Sequence, residues 1–259
     1  MRNLPHLAFA GKGGAGKSVL AATVARLLAR DGEDVLALDT DPLLGLTRSL
    51  GAAVPQEAPL QAAAEQDEQG RWRLRPGIGT FEAVRRFATA APEGVRLLQV
   101  GRSGREGPAA ALPAAGAFNA VVHGIRDTPE LATWSVVGDL SAGTRQTALG
   151  WAPYADRFVL VVEPTWQSIL TARRIARIAG ARGDVDVLLV VNKAADASDA
   201  ARVQDAMGLR AAAVVPADDA LREAERAGAA LLDAAAEAAS VRALHGLVAT
   251  LRGSTVAGR

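Results

Sequence analysis

Gly11-Lys12-Gly13-Gly14-Ala15-Gly16-Lys17-Ser18 is a glycine-rich run that closes on an ammonium and a hydroxyl. Its spacing fits G-x-x-x-x-G-K-[ST]. The chemistry such a run can perform is anion binding. Glycines let backbone N–H groups turn inward with no side chain in the way. The run feeds a helix start, whose unpaired N–H groups and dipole favour negative charge. A phosphate-bearing ligand is therefore expected at Gly11 through Val19. Lys17 is expected to reach the β- and γ-phosphates, and the Ser18 hydroxyl to ligate Mg²⁺.

Lysine usage sharpens this reading. Of 29 basic residues only Lys12, Lys17 and Lys193 are lysine. Arginine is the default cation of this chain, so lysine stands where a compact ammonium is wanted. Carboxylates follow two apolar runs. Val35–Leu38 leads into Asp39-Thr40-Asp41-Pro42, and Trp134–Leu140 contains Asp139, with Gly143 four residues on. Acids at strand ends beside a phosphate loop lie where ligands bind in open α/β sheets. With Ser18, the carboxylates of Asp39, Asp41 and Asp139 form the expected Mg²⁺ set. Gly143 would let a backbone N–H approach the γ-phosphate and leave with it.

These residues need a scaffold that gathers strand ends. A strand at Leu7–Ala10, a helix at Ser18–Arg30 and a strand at Val35–Leu38 make a βαβ unit. Gly32 sits where a helix end wants it. A helix is expected over Leu43–Gly51, a loose insertion over 52–79 and a helix over Phe81–Ala91. Within the insertion, Trp72 and Leu74 alternate with arginines as in an exposed hairpin. A strand at Val95–Val100, a loop at Gly101–Gly116 and a helix at Ala117–Ile125 follow. The second half alternates strand and helix, with strands at Arg157–Val162, Val185–Val191 and Ala212–Val215. Helices are expected at Gln167–Ala179, Ser198–Met207, Asp219–Ala227 and Ala234–Leu251. The pattern predicts one α/β domain over 1–259. The expected fold is three-layer, with a mostly parallel twisted sheet flanked by helices and a flexible tail at 253–259, and, with the loop above, it resembles the P-loop NTPase fold of the SIMIBI kind.

Composition narrows the chemistry further. Hydrophobic residues make up 49% of the chain and aromatics only 4%, so the core is built mainly of Ala, Val and Leu. There is no cysteine, which excludes disulfides, thiolate metal sites and cysteine nucleophiles. His6, His123 and His245 share no ligand spacing. The formal net charge of +1 gives no strong nucleic-acid signal. No apolar run approaches the roughly 20 residues a spanning helix needs, so membrane insertion is not expected and the chain reads as cytoplasmic. For the base, Asn192-Lys193-Ala194-Ala195-Asp196 is one residue longer than the Asn-Lys-x-Asp of guanine-selective enzymes. That favours adenine, with Asn192 and Lys193 contacting the nucleotide. The loop Val215-Pro216-Ala217-Asp218 would line the same base. ATP or ADP is the expected ligand.

With Lys12, the loop reads K-G-G-x-G-K-S, and so resembles the deviant phosphate loop of MinD/ParA-like ATPases. Those include relatives of nitrogenase iron protein and of the arsenite pump. The resemblance implies a nucleotide-dependent homodimer in which Lys12 reaches the partner's nucleotide. It also implies that Asp41 orients the attacking water and that Asp139 and Gly143 form a second switch. Lys12, Lys17 and Asp41 are then the catalytic residues. The chain is more specifically similar to the CooC-type accessory ATPases for nickel insertion into carbon monoxide dehydrogenase. The shared pieces are Asp39–Pro42, Asp139–Gly143, Val162-Glu163-Pro164 followed by Ser168 and Thr171–Arg174, Asn192-Lys193 and Val215-Pro216. The similarity runs from about Leu7 to Leu232. Those ATPases carry a C-x-C pair where this chain has Gly107-Pro108-Ala109-Ala110-Ala111-Leu112, so soft-metal binding is not expected there.

The leading expectation is a Mg-ATP-dependent dimeric switch ATPase acting on an unidentified client protein, such as a metalloenzyme under maturation. The competing one is a positioning ATPase on membrane or nucleoid. In that case Val241, Leu244, Leu247, Val248 and Leu251 would form a membrane-facing stripe. The same stripe equally suits a helix packed on its own sheet. A small-molecule ligase or kinase is a third possibility, without a substrate motif.

Overall fold

The computed structural model describes residues 4–101 and 111–253. At its centre lies β1 (His6–Gly11), whose apolar run is buried on both faces. A strand this apolar suits the interior of a parallel sheet covered by helices. Seven further strands join it: β2 (Val35–Asp39), β5 (Thr89–Ala90), β6 (Arg96–Gln99), β7 (Ser135–Asp139), β8 (Arg157–Val162), β9 (Asp186–Ala194) and β10 (Ala211–Pro216). The order across the sheet is β10-β9-β8-β1-β7-β2-β6-β5, parallel except for the edge strand β5. The mostly parallel sheet expected from the sequence is present, with helices on both faces.

Helix α1 (Lys17–Arg30) follows the glycine-rich loop and is buried nearly all round, as its Ala-, Leu- and Val-rich sequence dictates. It shares one face of the sheet with α8 (Asp219–Ala227), α9 (Leu231–Ala234) and α10 (Ala239–Gly253). The other face carries α3 (Thr80–Phe87), α4 (Leu112–Gly124), α6 (Trp166–Gly180) and α7 (Ala197–Met207). Two short helices, α2 (Gly45–Ser49) and α5 (Arg145–Ala148), follow β2 and β7 at the carboxyl edge. The antiparallel hairpin of β3 (Ala64–Gln66) and β4 (Trp72–Leu74) alternates as expected. Trp72 and Leu74 are half-buried, and Arg71, Arg73 and Arg75 are exposed. Trp72 packs onto α4 at Gly116, where a Cβ would come within 2.3 Å of the Trp72 Cβ.

Several boundaries differ from expectation. Helix α4 starts at Leu112, not Ala117, because Pro113 falls in its first turn, where a missing N–H costs nothing. Pro42 and a left-handed Leu44 delay α2 to Gly45, leaving Leu43 exposed. Helix α3 stops at Phe87, and Thr89–Ala90 pairs with β6 instead of extending it. Strand β9 runs on to Ala194, three residues past Val191. The last helix, expected from Ala234, begins at Ala239 as α10, and the short α9 ends at Ala234. The stretch at Gly107–Ala110 and the tail beyond Gly253 lie outside the described residues.

The apolar stripe of α10 is buried against α1 and the sheet. Arg157 donates to the Leu251 carbonyl at 2.8 Å, and Arg252 pairs with Asp31 and Glu33 beyond α1. Among the described residues, no helix is long and apolar enough to cross a membrane.

Arg26 ties this face together. It is 2% exposed and donates to Glu93 at 2.5 and 2.8 Å, to Asp233 at 2.6 Å and to the Leu50 carbonyl at 3.5 Å. Breaking a buried pair leaves an uncompensated charge and costs about 3 kcal/mol. Arg30 also pairs with Glu93 but is 39% exposed, so its contribution is under about 1 kcal/mol. Arg26→Ala is expected to lower the unfolding free energy by about 3 kcal/mol in urea titrations, and Arg30→Ala by less than about 1. Equal costs would contradict this account.

Candidate nucleotide-binding site

Parallel strands bring their carboxyl ends to one edge. Register pairs Phe9 of β1 with Asp139 of β7, and Asp139 with Asp39 of β2. On the other side Gly11 pairs with Val161 of β8, and Val162 pairs with Val191 of β9. The glycine-rich loop, three of the acids and Asn192-Lys193 therefore meet around the exit of β1.

Two glycines of the loop are fixed by crowding. A Cβ on Gly11 would stand 2.4 Å from the Val161 carbonyl oxygen. Gly16 has φ +92°, and a Cβ there would stand 2.3 Å from Asn192 Nδ2. Asn192 is 1% exposed and donates to the Ala15 carbonyl at 2.7 Å. In a trans peptide N–H and C=O point opposite ways. Holding the Ala15 carbonyl toward Asn192 thus turns the Gly16 N–H away from it. Asn192 was expected at the base; here its side chain braces the loop backbone. Lys17 is 7% exposed, with Nζ 3.4 Å from the Lys12 carbonyl, curled under the loop. Lys193 donates to the Gly14 carbonyl at 2.6 Å and pairs with Glu163 at 2.8 Å. Lys12 also faces Glu163, at 3.8 Å. All three lysines of the chain are thus gathered at the loop.

The acids occupy the opposite side. Ser18 donates to Asp139 Oδ2 at 2.5 Å. Asp139 is 1% exposed, and its Oδ1 has no hydrogen-bond partner among the described residues. Burial pushes its carboxyl up to about 7, against the Ser18 hydrogen bond and Lys17. A buried, half-satisfied carboxylate beside a hydroxyl fits the coordination shell of a hard cation such as Mg²⁺. Asp39 is placed differently from its expected role as a metal ligand. Its Oδ2 accepts from the Thr47 N–H at 2.9 Å and the Thr47 hydroxyl at 2.8 Å, and its Oδ1 from the Asp41 N–H at 3.2 Å. It holds the β2–α2 turn closed, and burial raises it to about 6. Asp41 is half-buried, and its Oδ1 accepts from the Leu43 N–H at 3.0 Å. The Gly143 N–H, expected to face the γ-phosphate, donates to the Gly11 carbonyl at 3.0 Å. That bond must break before this N–H can turn to a phosphate.

Two adjoining hollows open beside the loop, each of a size that ligand sites commonly have. One of about 560 Å³ is lined by Gly16, Lys17, Ser18 and Val19 with Gly45 and Arg48 of α2. Another of about 310 Å³ is lined by Asn192, Lys193, Pro216, Ala217 and Asp218. Leu221 and Glu225 of α8 border both. The structure brings the Val215–Asp218 loop beside Asn192 as expected, but its members differ. Val215 is buried in the sheet, and Asp218 caps α8 through the Ala220 N–H at 3.0 Å while accepting from the Ser240 N–H at 2.9 Å. Asp196 caps α7, accepting from the Ser198 and Asp199 N–H groups, and so has its own work away from any base.

Three residues escaped the sequence reading as site members. Glu163 was visible only within a shared motif, although its place after an apolar strand was a signal. Thr47 anchors Asp39. Gln146 joins the two acidic loops: its Oε1 accepts from the Ser141 N–H at 2.7 Å and its Nε2 donates to the Thr40 carbonyl at 3.0 Å. Nothing in the spacing pointed to Thr47 or Gln146.

Asp139 binds a proton more tightly folded than unfolded, since its folded value of about 7 exceeds the ordinary 3.8. Its contribution to stability is complete at acid pH and is lost as pH rises from about 4 through about 7. Without nucleotide or Mg²⁺, Asp139→Asn is expected to gain stability relative to the parent as pH rises from 5 to 8. Urea midpoints at the two pH values measure this, and a parallel pair of curves would contradict the assignment.

Comparison with known proteins supports the same reading. Residues 7–232 match the family model described as the CobQ/CobB/MinD/ParA nucleotide binding domain. The carbon monoxide dehydrogenase accessory protein CooC of Rhodospirillum rubrum is 28% identical over 88% of this chain and 89% of its own length. An uncharacterised ATP-binding protein of Methanocaldococcus jannaschii is 26% identical over 86% of this chain and 89% of its own. Among solved structures, the septum site-determining protein MinD of Pyrococcus horikoshii complexed with Mg-ADP superposes with a TM-score of 0.74. It covers 96% of both chains at 17% identity, a likeness of fold alone. The glycine-rich loop at the carboxyl edge of a mostly parallel sheet, and the match across nearly the whole described chain, make this protein a member of the CobQ/CobB/MinD/ParA nucleotide-binding family.

Proposed function

We propose that this ATPase is a Mg-ATP-dependent dimeric switch: ATP closes two copies face to face, hydrolysis releases them, and a client protein responds to the difference. The observation that carries this reading is the second lysine of the loop. Lys17 is curled beneath the loop, where it would serve the phosphate position, while the side chain of Lys12 is 34% exposed and only loosely paired with Glu163. An ammonium there can neutralise a phosphate held by a second copy.

The surface around it suits such a contact. Leu43 (81% exposed), Leu149 and Trp166 (65% exposed) stand on segments that follow β2, β7 and β8. Those segments surround the loop at the carboxyl edge, so an apolar margin rims the charged centre. Large exposed apolar residues grouped in this way mark interaction surfaces.

Within one copy, positioning and charge do the chemical work. Lys17 and the inward backbone N–H groups of the loop hold phosphate oxygens. Ser18 and Asp139 would hold Mg²⁺, which when bound supplies further positive charge at the phosphates. Asp41 is fixed by the Leu43 N–H through Oδ1, and its Oδ2 carries no hydrogen bond among the described residues. That oxygen would orient the attacking water. Pro216 and Ala217 would line the base, with adenine preferred because Asp196 is committed to α7.

For the client, the likeness to an accessory protein of carbon monoxide dehydrogenase supports metalloenzyme maturation. The chain has no cysteine, so a thiolate-bridged metal plays no part in closing the dimer. Burial of the α10 stripe argues against a membrane-surface helix there.

Light scattering with Mg²⁺ and a non-hydrolysable ATP analogue tests the reading. The parent is expected to dimerise with the analogue, less with ADP, and without added nickel or zinc. Lys12→Ala is expected to stay monomeric under the same conditions; dimerisation like the parent's would refute the switch. Asp41→Asn is expected to bind ATP but hydrolyse it at least about 100-fold more slowly, as loss of a positioned general base does. Equal turnover would remove Asp41 from the mechanism.

A further inference from the structure

Glu163 is a carboxylate without a place in the nucleotide chemistry, yet two of the three lysines of the chain converge on it. It follows β8, next to the loop, and is only 14% exposed. Its backbone is fixed on both sides: its N–H donates to Ser168 Oγ at 3.0 Å, and its carbonyl accepts from the Thr165 N–H at 2.7 Å. Its two carboxylate oxygens are used unequally. Oε1 lies 2.8 Å from Lys193 Nζ, and the same ammonium donates to the Gly14 carbonyl at 2.6 Å. Oε2 lies 3.8 Å from Lys12 Nζ, a looser pairing.

The asymmetry indicates which partner can leave. Lys193 is locked: it sits at φ +58°, a left-handed conformation that a lysine keeps only when its surroundings impose it. Its ammonium is tied at once to a carboxylate and to a backbone carbonyl. Glu163 therefore cannot follow Lys12 outward. Lys193, though 42% exposed, is held by its second bond to Gly14, whereas the Lys12 pair is long at 3.8 Å, and so long a pair is weak and easily exchanged. A triphosphate presents several negative charges to the same ammonium, against one on Glu163.

We propose that Glu163 is a positioning residue that holds Lys12 on its own protomer until a nucleotide phosphate competes for the ammonium, and so sets the ATP concentration at which the dimer closes. The inference rests on the reading that Lys12 serves a phosphate outside its own loop. Lys193 is the fixed half of the clamp, keeping the carboxylate aimed at Lys12 while it steadies Gly14.

Glu163→Gln removes the charge and keeps an oxygen for Lys193. In a titration with the non-hydrolysable ATP analogue and Mg²⁺, the midpoint of dimerisation is expected to fall about two- to five-fold, the range that a weak, half-exposed pair allows. ADP affinity by calorimetry is expected to change less than about two-fold, since the loop keeps its Lys193 brace. A midpoint unchanged or raised would overturn the proposal. A second readout needs no dimer. With three lysines in the chain, selectively ¹³C-lysine-labelled protein gives three Cε signals. The Lys12 signal is expected to move in nucleotide-free Glu163→Gln, and to move the same way in the parent when the analogue is added. An unmoved Lys12 signal in Glu163→Gln would show that the pair does not form and would end the proposal. Dimerisation of Lys12→Ala like the parent's refutes the switch, and the closing threshold with it. A monomeric Lys12→Ala together with a silent Glu163→Gln refutes the clamp alone.

Discussion

The site depends on how tightly the first strand leaves the sheet. Strand β1 is central, hydrogen-bonded to β7 on one side and β8 on the other, and it turns into the loop with no room beside it. At Gly11 a single added carbon would meet the Val161 carbonyl at 2.4 Å, and at Gly16 it would meet Asn192 at 2.3 Å. Those two approaches press the loop against its neighbours and let side chains from β9 reach its carbonyls. Asn192 takes the Ala15 carbonyl and Lys193 that of Gly14. With the Ala15 carbonyl held outward the Gly16 N–H is turned the other way, while the Ala15 N–H donates to the Lys12 carbonyl at 3.2 Å. The shape of the glycine-rich loop is thus a consequence of packing.

Charge around the loop is sorted by strand. On the β7–β2 side are Asp139, Asp39 and Asp41; on the β8–β9 side are Glu163, Lys193 and Lys12. Burial raises the first two acids to about 7 and about 6, so each resists ionisation where it stands. Asp39 is stabilised by Thr47, and its role is to shape the turn that presents Asp41. Asp139 retains an unsatisfied oxygen beside Ser18. A divalent cation would satisfy that oxygen and favour the ionised form, coupling metal binding to the protonation of one buried group.

Hydrogen bonds also link the loop to the two acidic segments. Gly143 is bonded to Gly11 of the loop, and Gln146 links the segment after β7 to Thr40 at the end of β2. A phosphate that draws Gly143 away from Gly11 would therefore disturb both acidic loops together. Those loops carry Leu43 and Leu149 into solvent at the margin of the same edge. The opposite pole is held rigid: Arg26 fastens α1 to α9, and α10 is clamped by Arg157 and Arg252.

Much of this was legible in the chain. Periodicity and composition predicted a parallel sheet with helices on both faces, because apolar runs separated by amphipathic stretches allow little else. The loop was readable because phosphate binding needs backbone N–H groups, and only a glycine-rich spacing supplies them. The rarity of lysine drew attention to Lys12, Lys17 and Lys193. What the spacing could not supply was the use made of each side chain, since partners from 8 to 179 positions apart are chosen by how turns close and strands are ordered. Asn192 and Asp39 were placed in the right neighbourhood, but tertiary packing turned one to the loop backbone and the other to Thr47. Glu163, Gln146 and Thr47 gained their roles only because β8, β7 and β2 end beside β1. Sequence alone set the expectation that an anion is bound at Gly11–Val19. The fold decided which groups hold the loop, which carboxylate remains for a metal, and that Lys12 begins paired with Glu163, because those outcomes depend on distances that no local pattern encodes.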